Sequence, residues 1–254
     1  MDIAVLIKSV IATDEPIRVV QGAIDQNAKR TINPYDEYAL EEALRIKETL
    51  GGTVTVISIG GDVTVEALRT ALAMGAEEAV WIHAETDRLD EYAVSKMLAG
   101  AVGVKTYDLV FAGHLSVDNG AGQVAIRVAE LLGWPHAGAI TACRIEGRVA
   151  HVTRDAEGDS ESWEVPLPAV LTAQQGLNEP RYPALAGIMK AKRKPLAELG
   201  LDALGGAIAP RAERLACEAQ PARPAGRKLS GTPKEQAAEL LALLRDEAKV
   251  LERR

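Results

Sequence analysis

Aromatic side chains are scarce in this chain of 254 residues, at 4% with a single phenylalanine. Few rings are therefore at hand to stack a flavin or single-stranded bases. Cysteine is scarcer still. Cys143 and Cys217 lie far apart without metal-ligand spacing, so neither a disulfide framework nor a zinc site is indicated. That suits a reducing compartment, and a cytoplasmic protein is expected. Positive charge is in deficit, with 29 Lys and Arg against 36 Asp and Glu, a formal net charge of -7. Nucleic acid is not the partner such a balance predicts. No apolar run approaches the roughly 20 residues a membrane span needs, so no direct insertion is expected. The opening residues run straight into an apolar stretch with no basic segment before it, and show no cleavable targeting signal.

Catalytic patterns are also missing. His83, His114, His136 and His151 are scattered, without a cysteine or carboxylate at metal-like spacing. There is no GxSxG, HExxH or Walker A motif, and no catalytic set or metal site is expected.

What is present is an alternation. Residues 3–7, 54–59, 78–83 and 109–112 are short apolar runs of the kind that become strands buried on both faces. Helical patterns follow them from residue 33, from 63, from 89 and from 123. Strand–helix repeated four times predicts an α/β fold with a parallel sheet and helices on both faces. Beyond Trp134-Pro135 the pattern shifts to short strands at 139–145, 148–153 and 162–165, a small antiparallel extension; residues 170–173 can return a strand to the main sheet. From 195 to 230 the chain is rich in Ala, Pro, Gly and Arg and reads as an extended arm with short helical pieces. Thr232-Pro233-Lys234-Glu235 is a capping box opening a final helix to about residue 251. The expected division is a nucleotide-binding domain over 1–194 and a C-terminal arm plus helix over 195–254.

In parallel sheets ligands sit beyond the carboxyl ends of the strands. Here those are the loops 8–13, 58–62 and 113–122, with the helix start at Asn33-Pro34-Tyr35-Asp36. Gly120-Ala121-Gly122-Gln123 leads a glycine-rich loop into a helix, which offers backbone N–H groups to a phosphate; it reads equally as an ordinary flexible turn. Asn33 reads as a helix N-cap or as a pocket residue. A second feature is the stretch 171–194, which begins as an apolar strand end and in which Pro180-Arg181-Tyr182-Pro183 cannot continue a helix or a central strand. It nonetheless carries Leu185, Ile188 and Met189, which either dock a partner or fold back onto the core. Lys190, Lys192, Arg193 and Lys194 form a basic cluster that reads as a solvated face or as steering for an acidic partner.

Leu177-Asn178-Glu179-Pro180-Arg181-Tyr182, followed by Ile188-Met189-Lys190-Ala191-Lys192, resembles the signature of electron transfer flavoprotein beta subunits. Arg69-Thr70-Ala71-Leu72-Ala73-Met74-Gly75-Ala76, Asn33-Pro34-Tyr35 with Glu41-Glu42-Ala43, and Lys8-Ser9-Val10 resemble the same family, in collinear order over nearly the whole chain. The resemblance implies an adenine nucleotide alpha hydrolase-like fold and a heterodimer with an alpha subunit that holds most of an FAD. It implies a structural AMP in this subunit. Electrons would pass from dehydrogenases, such as acyl-CoA dehydrogenases of fatty acid β-oxidation, to a quinone oxidoreductase. The chain would then be an electron carrier subunit and not a conventional enzyme.

By position, the AMP pocket would use Leu6, Asn33, Pro34, Tyr35, Asp36 and Ile59. The loop of Gly113, His114, Leu115, Ser116, Val117, Asp118, Asn119, Gly120, Ala121, Gly122 and Gln123 would complete it. The dehydrogenase-recognition segment, about 178–190, would include Arg181, Tyr182, Leu185, Ile188, Met189 and Lys190, with Leu185 as the anchor. A glutamate that positions the mobile flavin domain in the family is Asp155 here, one methylene shorter, and a tyrosine near the flavin in some members is Thr13. The 118–123 loop departs from the more acidic family pattern, and its length is nearer to relatives that hold a second FAD in place of AMP and bifurcate electrons. The Asn-Glu-Pro-Arg-Tyr and Ile-Met-Lys-Ala-Lys segments resemble the AMP-containing group. A free-standing AMP-binding module is a third reading.

Overall fold

The apolar runs fold as their periodicity dictates, and the helices between them decide which face each strand residue meets. A computed structural model describes all residues except 21, 26, 207, 220, 222–224 and 252–254. Strand β1 (Asp2–Leu6) is followed by two small antiparallel pairs. In these β2 (Ser9–Ile11) pairs with β5 (Arg30–Ile32), and β3 (Val19–Val20) with β4 (Ala23–Ile24). The polar excursion after the first strand is thus partly ordered. Then come α1 (Pro34–Leu50), β6 (Thr53–Gly60), α2 (Thr64–Met74), β7 (Glu78–His83), α3 (Glu91–Gly103), β8 (Leu109–Gly113) and α4 (Val124–Leu132). The antiparallel strands β9 (His136–Glu146), β10 (Val149–Ala156) and β11 (Asp159–Pro166) lead into β12 (Ala169–Ala173). Helix α5 (Leu185–Ala191), strand β13 (Leu196–Leu199) and helix α6 (Pro233–Ala242) complete the order.

One sheet of nine strands runs β11-β10-β9-β12-β8-β1-β6-β7-β13. Its central part is parallel, and β12 pairs parallel with both β8 and β9. The expected antiparallel extension is therefore continuous with the main sheet. Strand residues alternate between two cores. Ile3 and Val5 meet Leu40, Leu44, Leu68 and Leu72 of α1 and α2; Ala4 and Leu6 meet Met97, Val102 and Val128 of α3 and α4. Helices so cover both faces, as an α/β sheet requires.

The chain forms two units, Met1–Glu218 and Ala219–Arg254. The arm expected from residue 195 instead begins by entering the sheet. β13 adds to β7 in parallel register, with Leu196 opposite Ala79 and Leu199 opposite Ile82. Leu196 packs on the first core, and Leu199, Leu201 and Leu204 on the second, so the short apolar spacing found partners the sequence did not reveal. In the second unit the capping box forms. Thr232 N–H donates to Glu235 Oε2 at 2.7 Å and Glu235 N–H to Thr232 Oγ1 at 3.4 Å. The helix is shorter than its pattern suggested: α6 ends at Ala242 and gives way to a π-helical turn, Leu243–Glu247.

Candidate functional site

The strand order has a switch between β1 and β8. From β1 the chain crosses through α1 to β6 on one side; α3 brings it back to β8 on the other. A crevice opens beyond the carboxyl ends of such neighbours, where ligands of open α/β sheets bind. Asn33, Asp36 and the 113–123 loop meet there.

Asp36 is buried at the base of this crevice. Its Oδ2 accepts the Lys8 N–H at 2.7 Å, and its Oδ1 accepts the Gly113 N–H at 2.9 Å and Asn33 Nδ2 at 3.1 Å. One carboxylate thus ties the ends of β1 and β8 to the first turn of α1. Burial pushes the Asp36 carboxyl up to about 7, against the opposing pull of the three donors and of the Lys8 charge. Gly113 is required by this close approach. A Cβ there would fall 2.3 Å from Asp36 Oδ1 and 2.6 Å from Tyr35 Cβ.

Asn33 does not cap α1 with its side chain. Its carbonyl accepts from the backbone of Asp36 and Glu37, while the amide reaches across the crevice. Nδ2 donates to the Leu115 carbonyl at 2.8 Å and Oδ1 accepts the Val117 N–H at 3.1 Å. The cap preference of Asn and its tie to the loop differ only in tertiary structure. Further along the loop, Lys8 Nζ lies 2.6 Å from Asp118 Oδ1 and 3.2 Å from Ser116 Oγ. Asn119 Oδ1 accepts from Ser116 Oγ and from the Ala121 N–H, and the Gly120 N–H closes onto the Ser116 carbonyl at 2.8 Å. Gly120 and Gly122 adopt φ of 65° and 61°, which only glycine takes at low cost. The loop then enters α4, where Gln123 Oε1 accepts from Arg127.

The backbone donors at the crevice floor already hold the Asp36 carboxylate. Gly120 and Ala121 donate within the loop and Lys8 pairs with Asp118, so an anionic ligand would meet the start of α4 and would share Lys8 with Asp118. Leu6 is buried in the second core, and Ile59 packs at its edge. Pro34 and Tyr35 are half-buried at the helix start and His114 at the strand end, its N–H on the Ala173 carbonyl. Burial, with Arg154 nearby, lowers the His114 imidazole from its ordinary range. Lys8 opens the strand-end loop 8–13 expected beside a ligand, although it was not itself assigned to the nucleotide pocket.

Asp155 stands elsewhere. It is exposed on β10 opposite Ser160, in the antiparallel half of the sheet, and Thr13 is exposed before β3.

Three polar side chains of the segment 178–194 turn inward, those of Asn178, Arg181 and Lys194. Asn178 Nδ2 donates to the Tyr38 carbonyl at 3.0 Å and to Glu42 Oε2 at 2.9 Å. The Arg181 guanidinium lies between Glu41 and Glu48 of α1, with its side chain 35% exposed. Lys194 leaves the basic cluster as well. Its Nζ donates to the carbonyls of Leu72 and Ala76 at the end of α2, at 2.9 and 2.6 Å. Arg69 of α2 returns the contact, with Nη1 on the carbonyls of Ala191 and Lys194 at 2.7 and 2.9 Å. Each basic side chain satisfies carbonyls at the end of the other helix, where cations are favoured. Gly187 lets α5 lie this close, since a Cβ would sit 2.4 Å from the Ala73 carbonyl oxygen. Outward stand Tyr182, 94% exposed, and Leu185, 77%, with Ile188 and Met189 exposed beside them, together with the charged Lys190, Lys192 and Arg193.

A family model for the electron transfer flavoprotein domain matches residues 21–204. A Bacillus subtilis protein named electron transfer flavoprotein subunit beta is 47% identical over 257 aligned residues, covering 99% of this chain and 100% of its own. A protein of the same name from Syntrophomonas wolfei is 38% identical, covering 98% of each chain. One from Homo sapiens is 35% identical over 91% of this chain and 93% of its own.

Proposed function

We propose, from the premise that this chain belongs to the electron transfer flavoprotein family as a relative of its beta subunits, that it is the beta subunit of a heterodimeric electron carrier. The observation that carries the reading is the segment 182–189, which holds apolar side chains in solvent on a backbone fastened to α1 and α2. Exposed apolar groups on a rigid frame suit docking, because little ordering entropy is lost on contact. Leu185 is the anchor in this reading, with Tyr182, Ile188, Met189 and Lys190 around it. The donors of electrons are dehydrogenases, with acyl-CoA dehydrogenases as the expected class, and the acceptor is a quinone oxidoreductase.

The crevice residues fit a mononucleotide with a structural role, AMP. Asn33, Asp36 and the 113–123 loop would shape its site, with the Lys8–Asp118 ion pair at the rim. FAD, held mainly by an alpha subunit, supplies the reversible electron acceptor when the complex is assembled; Asp155 is the residue of this chain assigned to positioning the flavin domain. In the second unit α6 buries none of its residues, and Leu240 and Leu241 stand exposed. Those side chains are assigned to the alpha-subunit interface.

The test is co-expression with the alpha subunit. A stable heterodimer with one FAD and one AMP that accepts electrons from a reduced dehydrogenase supports the reading. A monodisperse, redox-silent chain that ignores the alpha subunit overturns it. Two FAD and no AMP per heterodimer would replace it with a bifurcating component, and reversible AMP exchange without need of a flavin partner with a free-standing AMP module.

A further inference from the structure

Arg181 opens the apolar segment yet makes its contacts on the opposite side. Its Nε and Nη2 donate to the two carboxylate oxygens of Glu41 at 2.8 and 3.0 Å. Nη1 and Nη2 donate to those of Glu48 at 2.6 and 3.2 Å, and the Arg181 backbone N–H adds a bond to Glu41 Oε2 at 3.1 Å. The Glu41 side chain is 4% exposed, and a carboxylate so buried requires a charged, hydrogen-bonded partner. A planar guanidinium satisfies two carboxylates at once, which an ammonium cannot do with the same geometry. Burial alone would raise the Glu41 carboxyl, but the bonds and charge of Arg181, joined by Arg45, hold it below the ordinary carboxylate value.

Glu41 and Glu48 lie on one face of α1, and Tyr38 and Glu42, which take Asn178, are four residues apart beside them. The segment is thus pinned at 178 and 181 to α1, and at 191 and 194 to α2. Tyr182, Leu185 and Met189 lie between the two fastenings.

We propose that Arg181 is a positioning residue for dehydrogenase docking: its fork on Glu41 and Glu48 fixes the backbone that enters α5, so that Leu185 and Met189 are presented in one orientation. Arg181 acts through these neighbours and does not touch the partner. The proposal rests on the carrier reading above.

The experiment uses the assembled heterodimer carrying the wild-type chain, Arg181→Gln, Arg181→Lys or Glu48→Gln. Each is titrated against an acyl-CoA dehydrogenase reduced by its acyl-CoA, and amide hydrogen exchange is followed on the heterodimer alone. In Arg181→Gln the flavoprotein concentration at half-maximal rate is expected to rise about tenfold, as entry to the docked state must order a loosened backbone. The maximal rate and FAD content stay at wild-type level, and amides 182–190 exchange faster. Arg181→Lys recovers part of the loss. Glu48→Gln keeps the Glu41 contacts and gives a smaller change of the same kind; it serves if Arg181→Gln does not assemble.

An unchanged half-saturation concentration overturns the proposal. So does a raised one with unchanged exchange, which marks direct contact, and so does a lower maximal rate or FAD content at unchanged half-saturation, which marks a merely architectural role. A wild-type heterodimer that takes no electrons from the dehydrogenase overturns the carrier reading and this proposal with it, before any substitution is made.

Discussion

At the first turn of α1, Asn33 and Asp36 gather the backbone of Lys8, Gly113, Leu115 and Val117. Further along the same helix, Glu41, Glu42 and Glu48 gather Arg181 and Asn178. Both regions are organised by acidic side chains of one helix, but to opposite ends. In the crevice the polar contacts draw strand ends together around a site lined by backbone donors. In the segment 178–194 they draw Arg181 and Lys194 inward, while Tyr182, Leu185 and Met189 stay outside beside the exposed Lys190, Lys192 and Arg193. The difference shows that a surface displays what its internal hydrogen bonds leave free. Arg181 and Lys194 are basic residues in an exposed segment, yet their partners are internal, and Leu185 is apolar yet 77% exposed.

Titration separates the two regions most strongly. Asp36 has its carboxyl raised in the fold from 3.8 to about 7, so the folded state holds a proton the unfolded chain has released between those values. The stability this confers is present below the unfolded value and is lost as pH rises through the folded one. Some 3 pKa units correspond to ~4 kcal/mol. Denaturation of the wild-type chain between pH 4 and pH 8 is expected to show this fall, and Asp36→Asn to lack it. A parallel decline in both would remove the carboxyl from its role. Glu41 behaves oppositely, being held low by Arg181, and its contribution is lost only on acidification.

Steric tests come next. Gly113→Ala forces a Cβ against Asp36 and Tyr35 and is expected to cost ~3 kcal/mol and to lower nucleotide content. Gly187→Ala meets the Ala73 carbonyl of α2 instead and should leave the crevice and its nucleotide intact while displacing α5. Chemical denaturation with nucleotide analysis reads both; equal nucleotide loss in the two variants would break the distinction between the regions.

Arg181→Gln leaves the buried Glu41 without its main partner, and a loss of about 2 kcal/mol is expected in the denaturation midpoint. Least of all in stability is Leu185→Ala, within about 0.5 kcal/mol because the side chain is already in solvent. Its expected effect is kinetic, a slowing of electron transfer by about tenfold with FAD content unchanged. Unaltered transfer with every candidate dehydrogenase would remove Leu185 from its anchoring role.

Much of the fold was legible in the sequence. Buried parallel strands announce themselves as short apolar runs, and helices by their periodicity, because burial on two faces or one leaves those patterns. The capping box at Thr232 was local and so readable. Strand β13 was not, since four residues with two leucines carry no period, and only the exposed edge of β7 gives them a place. At the site, the loops 58–62 and 113–122 were foreseen by topology. Asn33 was read as a cap or as a pocket residue, and only the structure shows its side chain on the loop; the inward pairing of Arg181 was not foreseen. An asparagine before a helix has the same local preference whether it caps the helix or crosses a crevice, and an arginine in a proline-bounded loop has none.

By itself, then, the sequence determined the alternation of strand and helix, the glycines that permit the turns, and the motifs that mark the family. Tertiary structure alone decided the direction of each polar side chain in the crevice and docking segment. Apart from the contact between Asn33 and Asp36 themselves, the side-chain partners of Asp36, Asn33, Arg181 and Lys194 lie 28 to 140 residues away along the chain. Hydrogen bonds of such separation exist only once packing has brought the elements together, and no local pattern encodes them.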